Sequence, residues 1–314
     1  METVIYLIAG FLESGKTTFI NEIMGDPNFF QGEKTVILCC EEGFTEYNED
    51  RLRETQTTVI PVENEADLTG SFLKDLNAKY RPERVIIEFN GTWSIQKLFE
   101  VKKPKNWVLG QVVAIANSET FKSYVNNMRT MIADSFRQAD TVIFNRCTPE
   151  TDKASFRRIA RSINPRAELM FDNVDGTVDD GRSEGDLPYD LNADVIQIAD
   201  EDFGIWYLDA IETPDRYDGK LVRVKGMAFH PRAARKDGVF VLGRFAMTCC
   251  AEDISAIGFV CKADGEIPAE KQWIDVIARV KKGYSPLHKR EAVLLHLKKF
   301  KAAKKPEEEL VYFN

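Results

Sequence analysis

Residues 10–17 read Gly-Phe-Leu-Glu-Ser-Gly-Lys-Thr, a glycine-bounded loop closed by a lysine and a hydroxyl. The spacing G-x-x-x-x-G-K-[ST] is one that holds a polyphosphate. Gly10 and Gly15 permit backbone torsions that a Cβ would block. The amides of the loop, Glu13, Ser14 and Gly15 among them, can then face phosphate oxygens, and the positive end of the following helix adds to the attraction. Lys16 brings a mobile charge to the β- and γ-phosphates, Thr17 a hard oxygen for Mg²⁺, and Thr18 follows at the helix start. A nucleoside triphosphate is therefore the expected ligand. Two carboxylates, Glu88 at the end of an apolar run and Glu41 after another, are candidates for placing an attacking water; with Lys16 they form the candidate catalytic set.

A second chemistry lies in the six cysteines. Cys39-Cys40 precede Glu41 and Glu42, and Cys249-Cys250 lie within reach in sequence of Cys261 and His230. Either pair could hold a thiophilic metal such as Zn²⁺. The competing reading is packing: of Cys39-Cys40 one thiol would sit in the core and the other line the nucleotide loop, and of Cys249-Cys250, as adjacent strand residues that point to opposite faces, one would sit in the barrel core and one outside.

These residues need a scaffold. Short β-branched or aromatic runs fall at 4–9, 36–40, 59–62, 85–89, 112–116, 142–145 and 169–171, as buried parallel strands do. Helical stretches alternate with them at 17–24, 66–80, 118–138 and 149–163. The alternation implies an α/β fold, a three-layer parallel sheet of the P-loop NTPase kind, over residues 1–175. Residues 176–202 are rich in Asp, Glu and Gly and read as an acidic linker. Residues 203–314 read as β-rich: runs at 205–211, 220–229, 239–248, 257–262 and 273–280 predict a small OB-like β-barrel. The lysines of 298–305 read as a solvated face or tail.

Composition bounds the rest. With 44% hydrophobic and 29% charged residues the chain is globular, and its net charge of −8 argues against a nucleic-acid coat. Arg223 and Lys225 alternate along one strand face without interleaved aromatics, so no nucleic-acid partner is expected. Glu2 stands where a secretory signal would carry a basic residue, no apolar run reaches membrane length, and the cysteines suit a reducing compartment; a cytoplasmic location is the expectation.

The run Gly10 to Thr18 resembles the opening of the CobW family of P-loop GTPases, relatives of HypB and UreG. Ile86-Ile87-Glu88 with Gly91 resembles the family's apolar-strand-Glu-x-x-Gly element. Asn145-Arg146 resembles the start of its guanine-reading Asn-Lys-x-Asp, and residues 163–167 its Leu-Asn-Pro-x-Ala. The likeness implies GTP, with ATP as the other candidate, Mg²⁺, and a role in metal trafficking or metallocofactor insertion toward a metalloprotein client. Thr148 stands where the family has its base-gripping Asp. Residues 63–66 lack the family's Cys-x-Cys-Cys motif. Residues 243–251 and the ending Val311-Tyr312-Phe313 resemble YcgQ-like, permease-subunit-like bacterial proteins, which implies a membrane permease partner. The resemblances thus carry two readings, a hydrolysing GTPase or a non-hydrolysing nucleotide sensor that docks a partner through its barrel.

Overall fold

A computed structural model describes residues 2–41, 43–182, 187–230, 238–285 and 289–313. The chain divides into two compact units, residues 1–182 and 183–314.

In the first unit the apolar runs become β1 (Thr3–Ala9), β2 (Thr35–Cys39), β3 (Thr57–Pro61), β4 (Arg84–Glu88), β5 (Trp107–Asn117), β6 (Thr141–Cys147) and β7 (Glu168–Asn173). They form one sheet in the order β3-β2-β4-β1-β5-β6-β7, every pairing parallel, with the short β8 (Val178–Asp179) antiparallel at its edge. Because β1 is central, the loop leaving its C-terminal end opens between β4 and β5. Helices α1 (Lys16–Met24), α2 (Glu49–Glu54), α3 (Gly70–Tyr80), α4 (Ile95–Glu100), α5 (Ser118–Gln138) and α6 (Lys153–Ile163) make the crossovers. On one face Ile20 and Met24 of α1 pack on Ile8, Ile37, Ile86 and Ile115. Elsewhere a phenylalanine cluster joins Phe121 and Phe136 of α5, Phe156 of α6, Phe144 of β6 and Phe171 of β7. Rings in edge or offset contact add to what their burial contributes and fix the spacing of these elements. The central strands are buried on both faces, which is why they read as continuous apolar runs.

The second unit contains α7 (Phe203–Glu212), β9 (Ile196–Gln197), β10 (Leu221–Phe229), β11 (Val239–Ala246), β12 (Ser255–Lys262), β13 (Trp273–Ser285) and β14 (Arg290–Ala302). Five strands pair in a closed circuit, β10-β11-β12-β14-β13 and back to β10. Only the β12–β14 pairing in that circuit is parallel. Along β10 every second side chain is buried: Val222, Val224 and Ala228 face a core that includes Trp206, Phe240, Phe259 and Val276.

Three expectations change here. Residues 205–211, expected as a strand, lie in α7, whose Phe203, Trp206, Leu208 and Ala210 are buried. The lysine-rich stretch expected as a solvated face or tail lies in β14 as far as Ala302, with Lys298, Lys299 and Lys301 exposed, so it is a solvated strand face and not a tail up to that point. The stretch 176–202, expected as an acidic linker, contributes β8 and β9, and Ile196 and Ile198 pack in the second core. Among the described residues no helix is long and apolar enough to cross a membrane.

Candidate nucleotide site

The phosphate loop runs from the end of β1 into α1. Gly10 has φ +149° and Gly15 φ +100°, and a Cβ on Gly10 would stand 2.4 Å from the Ile115 carbonyl oxygen. On Gly15 it would stand 2.5 Å from Asn145 Nδ2. Gly10 is thus required by conformation and by space, and Gly15 by conformation. Glu13 also takes a left-handed φ of +60°. Its carboxylate accepts from the Phe44 amide at 3.0 Å, tying the loop after β2 to the phosphate loop.

Lys16 is 4% exposed, and its Nζ donates to the carbonyls of Gly10 (2.8 Å) and Phe11 (2.9 Å) and to Glu41 Oε2 at 2.5 Å. A lysine so buried must be paired, and Glu41 supplies the counter-charge. The Thr17 hydroxyl donates to Glu88 Oε1 at 2.7 Å, while the Tyr47 hydroxyl donates to Glu88 Oε2. Burial above all raises the Glu88 carboxyl above the usual carboxylate range; the bonds from Thr17 and Tyr47 and the charge of Lys16 act against it. Burial, then the Glu88 charge, pushes the Tyr47 hydroxyl up as well. An open cleft of about 310 Å³ is lined by Gly15, Lys16, Thr17, Thr18, Glu41 and Glu88, among others. The Thr17 hydroxyl and the Glu88 carboxylate form a hard-oxygen set at the mouth of the helix, the donor chemistry that Mg²⁺ accepts.

Gly91, three residues past Glu88, lies against the loop: a Cβ there would stand 2.5 Å from the Gly10 oxygen and 2.7 Å from Phe11 Cα. The Glu-x-x-Gly spacing therefore lets the segment after β4 pack directly on the phosphate loop. On the other side, Asn145 Nδ2 donates to the Ser14 carbonyl at 2.7 Å and Arg146 Nη1 to the Glu13 carbonyl at 3.1 Å. Both residues brace the loop. The Asn145 Oδ1 and Ser14 Oγ atoms are buried without a hydrogen-bond partner among the described residues. The Thr148 amide bonds the Thr151 hydroxyl at 2.9 Å, and Asp152 caps α6 and pairs with Lys122 at 3.0 Å.

Of the expected residues, Gly10, Glu13, Ser14, Gly15, Lys16, Thr17, Thr18, Glu41, Glu88, Asn145 and Arg146 all gather at this loop. The first cysteine pair divides. Cys39 Sγ lies 4.0 Å from Glu88 Oε2 and 3.3 Å from the Glu41 carbonyl. Cys40 is 3% exposed with its sulfur toward the Leu38 carbonyl, and burial raises its thiol. Glu42 lies outside the described residues. Among the described residues Cys39, Cys40 and Glu41 do not converge as a three-ligand set. Sequence reasoning missed Tyr47, which has no motif of its own and meets Glu88, and Thr45, which lines the cleft.

The second pair behaves differently. Cys249 and Cys250 follow β11 in a bend, outside any strand, with their sulfurs 3.9 Å apart. Cys249, Cys250 and Asp253 have their ligand atoms within 4.8 Å of one another. Asp253 accepts from the amides of Thr248 (3.0 Å) and Cys249 (2.7 Å). Burial, then Asp253, pushes the Cys249 thiol up to about 12. Cys261 is buried in the core of the second unit, and the His230 imidazole faces Glu270 at 3.7 Å; neither joins the cluster. Arg223 and Lys225 are each met by a carboxylate, Asp275 at 2.7 Å and Asp200 at 2.5 Å.

A parallel sheet with this loop between its central strand and first helix defines a P-loop nucleotide-binding protein. Residues 4–171 match the CobW/HypB/UreG nucleotide-binding domain, and the chain belongs to that family. Residues 179–313 match the DUF1980 C-terminal domain. No curated protein matches the chain. Among solved structures it is similar to a zinc-bound triple mutant of the YjiA GTPase (21% identity, TM-score 0.43, covering 55% of this chain). It spans 57% of that relative's length. The hydrogenase maturation factor HypB from Archaeoglobus fulgidus is similar at 15% identity and TM-score 0.37, over 55% of this chain and 82% of that one. HypB from Helicobacter pylori, in complex with nickel, is similar at 16% identity and TM-score 0.32, over 55% and 79% respectively.

Proposed function

We propose that the chain binds GTP with Mg²⁺ and hydrolyses it to GDP and phosphate, as a switch in metal trafficking or metallocofactor insertion. The observation that carries the proposal is the convergence at one loop of Lys16, held by Glu41, and of Thr17, held by Glu88. Lys16 exchanges Glu41 for the β- and γ-phosphate oxygens, and the loop amides meet the same oxygens. Glu41, released, or Glu88 orients water in line with the γ-phosphorus; the bond to the β-phosphate bridge oxygen breaks and the proton leaves with the phosphate. Thr17 and Glu88 are the residues that would hold Mg²⁺, which when bound neutralises charge on the phosphates. Membership of the CobW/HypB/UreG family supports guanine over adenine.

The test measures affinity for GTP and ATP and multiple-turnover phosphate release in wild type and Lys16→Ala. We expect tighter GTP binding, Mg²⁺-dependent phosphate release, and an affinity loss of about 10- to 100-fold in the variant, as for a charge-assisted contact. GTP binding with no phosphate released under any Mg²⁺ concentration refutes hydrolysis and favours a nucleotide sensor. Equal affinity of variant and wild type refutes the site.

A further inference from the structure

Outside the nucleotide site, one group of soft ligands converges among the described residues. We infer that Cys249, Cys250 and Asp253 form a binding site for a thiophilic divalent cation, zinc by preference, that asks nothing of nucleotide binding.

The geometry is the first support. Adjacent cysteines in an extended strand would point apart. Here β11 ends at Ala246, and the chain bends through residues 248–250 before a short 3₁₀ turn at Ala251–Asp253. The bend brings both sulfurs to one side, 3.9 Å apart. Two thiolates on one tetrahedral ion, each about 2.3 Å from it, stand about 3.8 Å apart. The observed separation therefore matches a shared ion and is far beyond the about 2.05 Å of a disulfide.

The ligand set is the second. Two thiolates exclude the hard ions that take only oxygen, and the carboxylate turns the set from all-sulfur Cu(I) sites toward a borderline ion such as Zn²⁺. Three protein ligands leave a fourth position open, as in zinc sites that exchange a ligand, in contrast to closed structural sites. All three side chains are partly exposed, so solvent reaches that position.

The third is preorganisation. The amides of Thr248 and Cys249 hold the Asp253 carboxylate beside the thiols. The root of the bend is fixed in turn: Ala246 pairs with Val311, the Met247 amide donates to the Val311 carbonyl at 3.0 Å, and buried Arg244 reaches the carbonyls of Asp200 and Glu308. Asp200, Glu308 and Val311 thus clamp the strand that presents the cysteines.

The test titrates the reduced full-length protein with Co²⁺ alone, without nucleotide, and follows sulfur-to-metal charge-transfer absorbance, then displaces the ion with Zn²⁺. We expect one equivalent of Co²⁺ with the absorbance of two thiolates, displaced by Zn²⁺. Cys249→Ser/Cys250→Ser removes the band, Cys39→Ser/Cys40→Ser leaves it intact, and Asp253→Asn keeps it while weakening affinity at least about tenfold. A reduced wild type without the band overturns the inference with no variant needed. So does a band that survives in Cys249→Ser/Cys250→Ser or vanishes in Cys39→Ser/Cys40→Ser, and wild-type affinity in Asp253→Asn overturns the three-ligand site.

Discussion

Glu41 makes a demanding test of the phosphate site, because it competes with the ligand that the site is built for. Its Oε2 lies 2.5 Å from Lys16 Nζ, with the two side chains 10% and 4% exposed. A polyphosphate can claim Lys16 only when that pair opens. Glu41→Gln keeps the shape and one hydrogen bond but removes the charge. The Lys16 ammonium keeps the remaining bond charge-assisted, so the substitution removes only the carboxylate's share of a contact that contributes about 1.5–3 kcal/mol, and lowers the cost of opening by about 1–2 kcal/mol. Each 1.4 kcal/mol is tenfold in affinity, so nucleotide should bind about 5- to 30-fold more tightly. The same change leaves a buried lysine short of its counter-charge, so the nucleotide-free variant should melt earlier than wild type and gain more from added GTP. Fluorescent-nucleotide titration and thermal denaturation with and without GTP read both effects. If Glu41 also places the attacking water, turnover falls while binding tightens. Weaker or unchanged binding in Glu41→Gln refutes the competition argument.

Two further outcomes follow from neighbouring contacts. Burial raises the folded-state pKa of Glu88 above its unfolded value, so the folded chain takes up that proton at higher pH than the unfolded chain does. Ionised Glu88 therefore subtracts stability above its raised pKa, and the deficit fades as pH falls through that value toward the ordinary carboxylate range. Glu88→Gln should raise the melting temperature of nucleotide-free protein near pH ~7.5 and lose that advantage toward pH ~5, which thermal melts across pH will check; a pH-independent gain contradicts the assignment. Gly91→Ala sets a methyl group 2.5 Å from the Gly10 oxygen, so backbone must move. It should cost about 1–3 kcal/mol in denaturant unfolding and weaken nucleotide binding, and a variant with wild-type affinity would show that the loop does not depend on this packing.

How much of this was legible depended on whether the determining signal was local. The phosphate loop was readable because glycine torsions, lysine reach and hydroxyl position are set within eight residues. The parallel strands were readable because burial on both faces leaves uninterrupted apolar runs. Residues 205–211 misled for the same reason: a helix apolar on all sides carries no 3.6-residue period, and Phe, Trp and Tyr favour a strand reading. In β14 the period of two is broken by a register shift, since Ile277 pairs with Lys299 but Ala278 with Leu297. Lys298 and Lys299 then fall together and imitate a solvated tail. Tyr47 was invisible because its meeting with Glu88 joins residues 41 apart through a loop without regular structure. The cysteine pairs show the limit most sharply. Both are Cys-Cys dipeptides in sequence, and the packing reading predicts divergence for each. It holds at Cys39-Cys40, where β2 ends with Cys39 and Cys40 stays in the core. It fails at Cys249-Cys250, where the chain has already left β11 and a carboxylate three residues on gathers the turn. What separates the two outcomes is the end of a strand, fixed by pairing with Val311 some 65 residues away. The same dipeptide is packing in one place and a candidate ligand pair in the other because tertiary contacts decide where extended backbone stops.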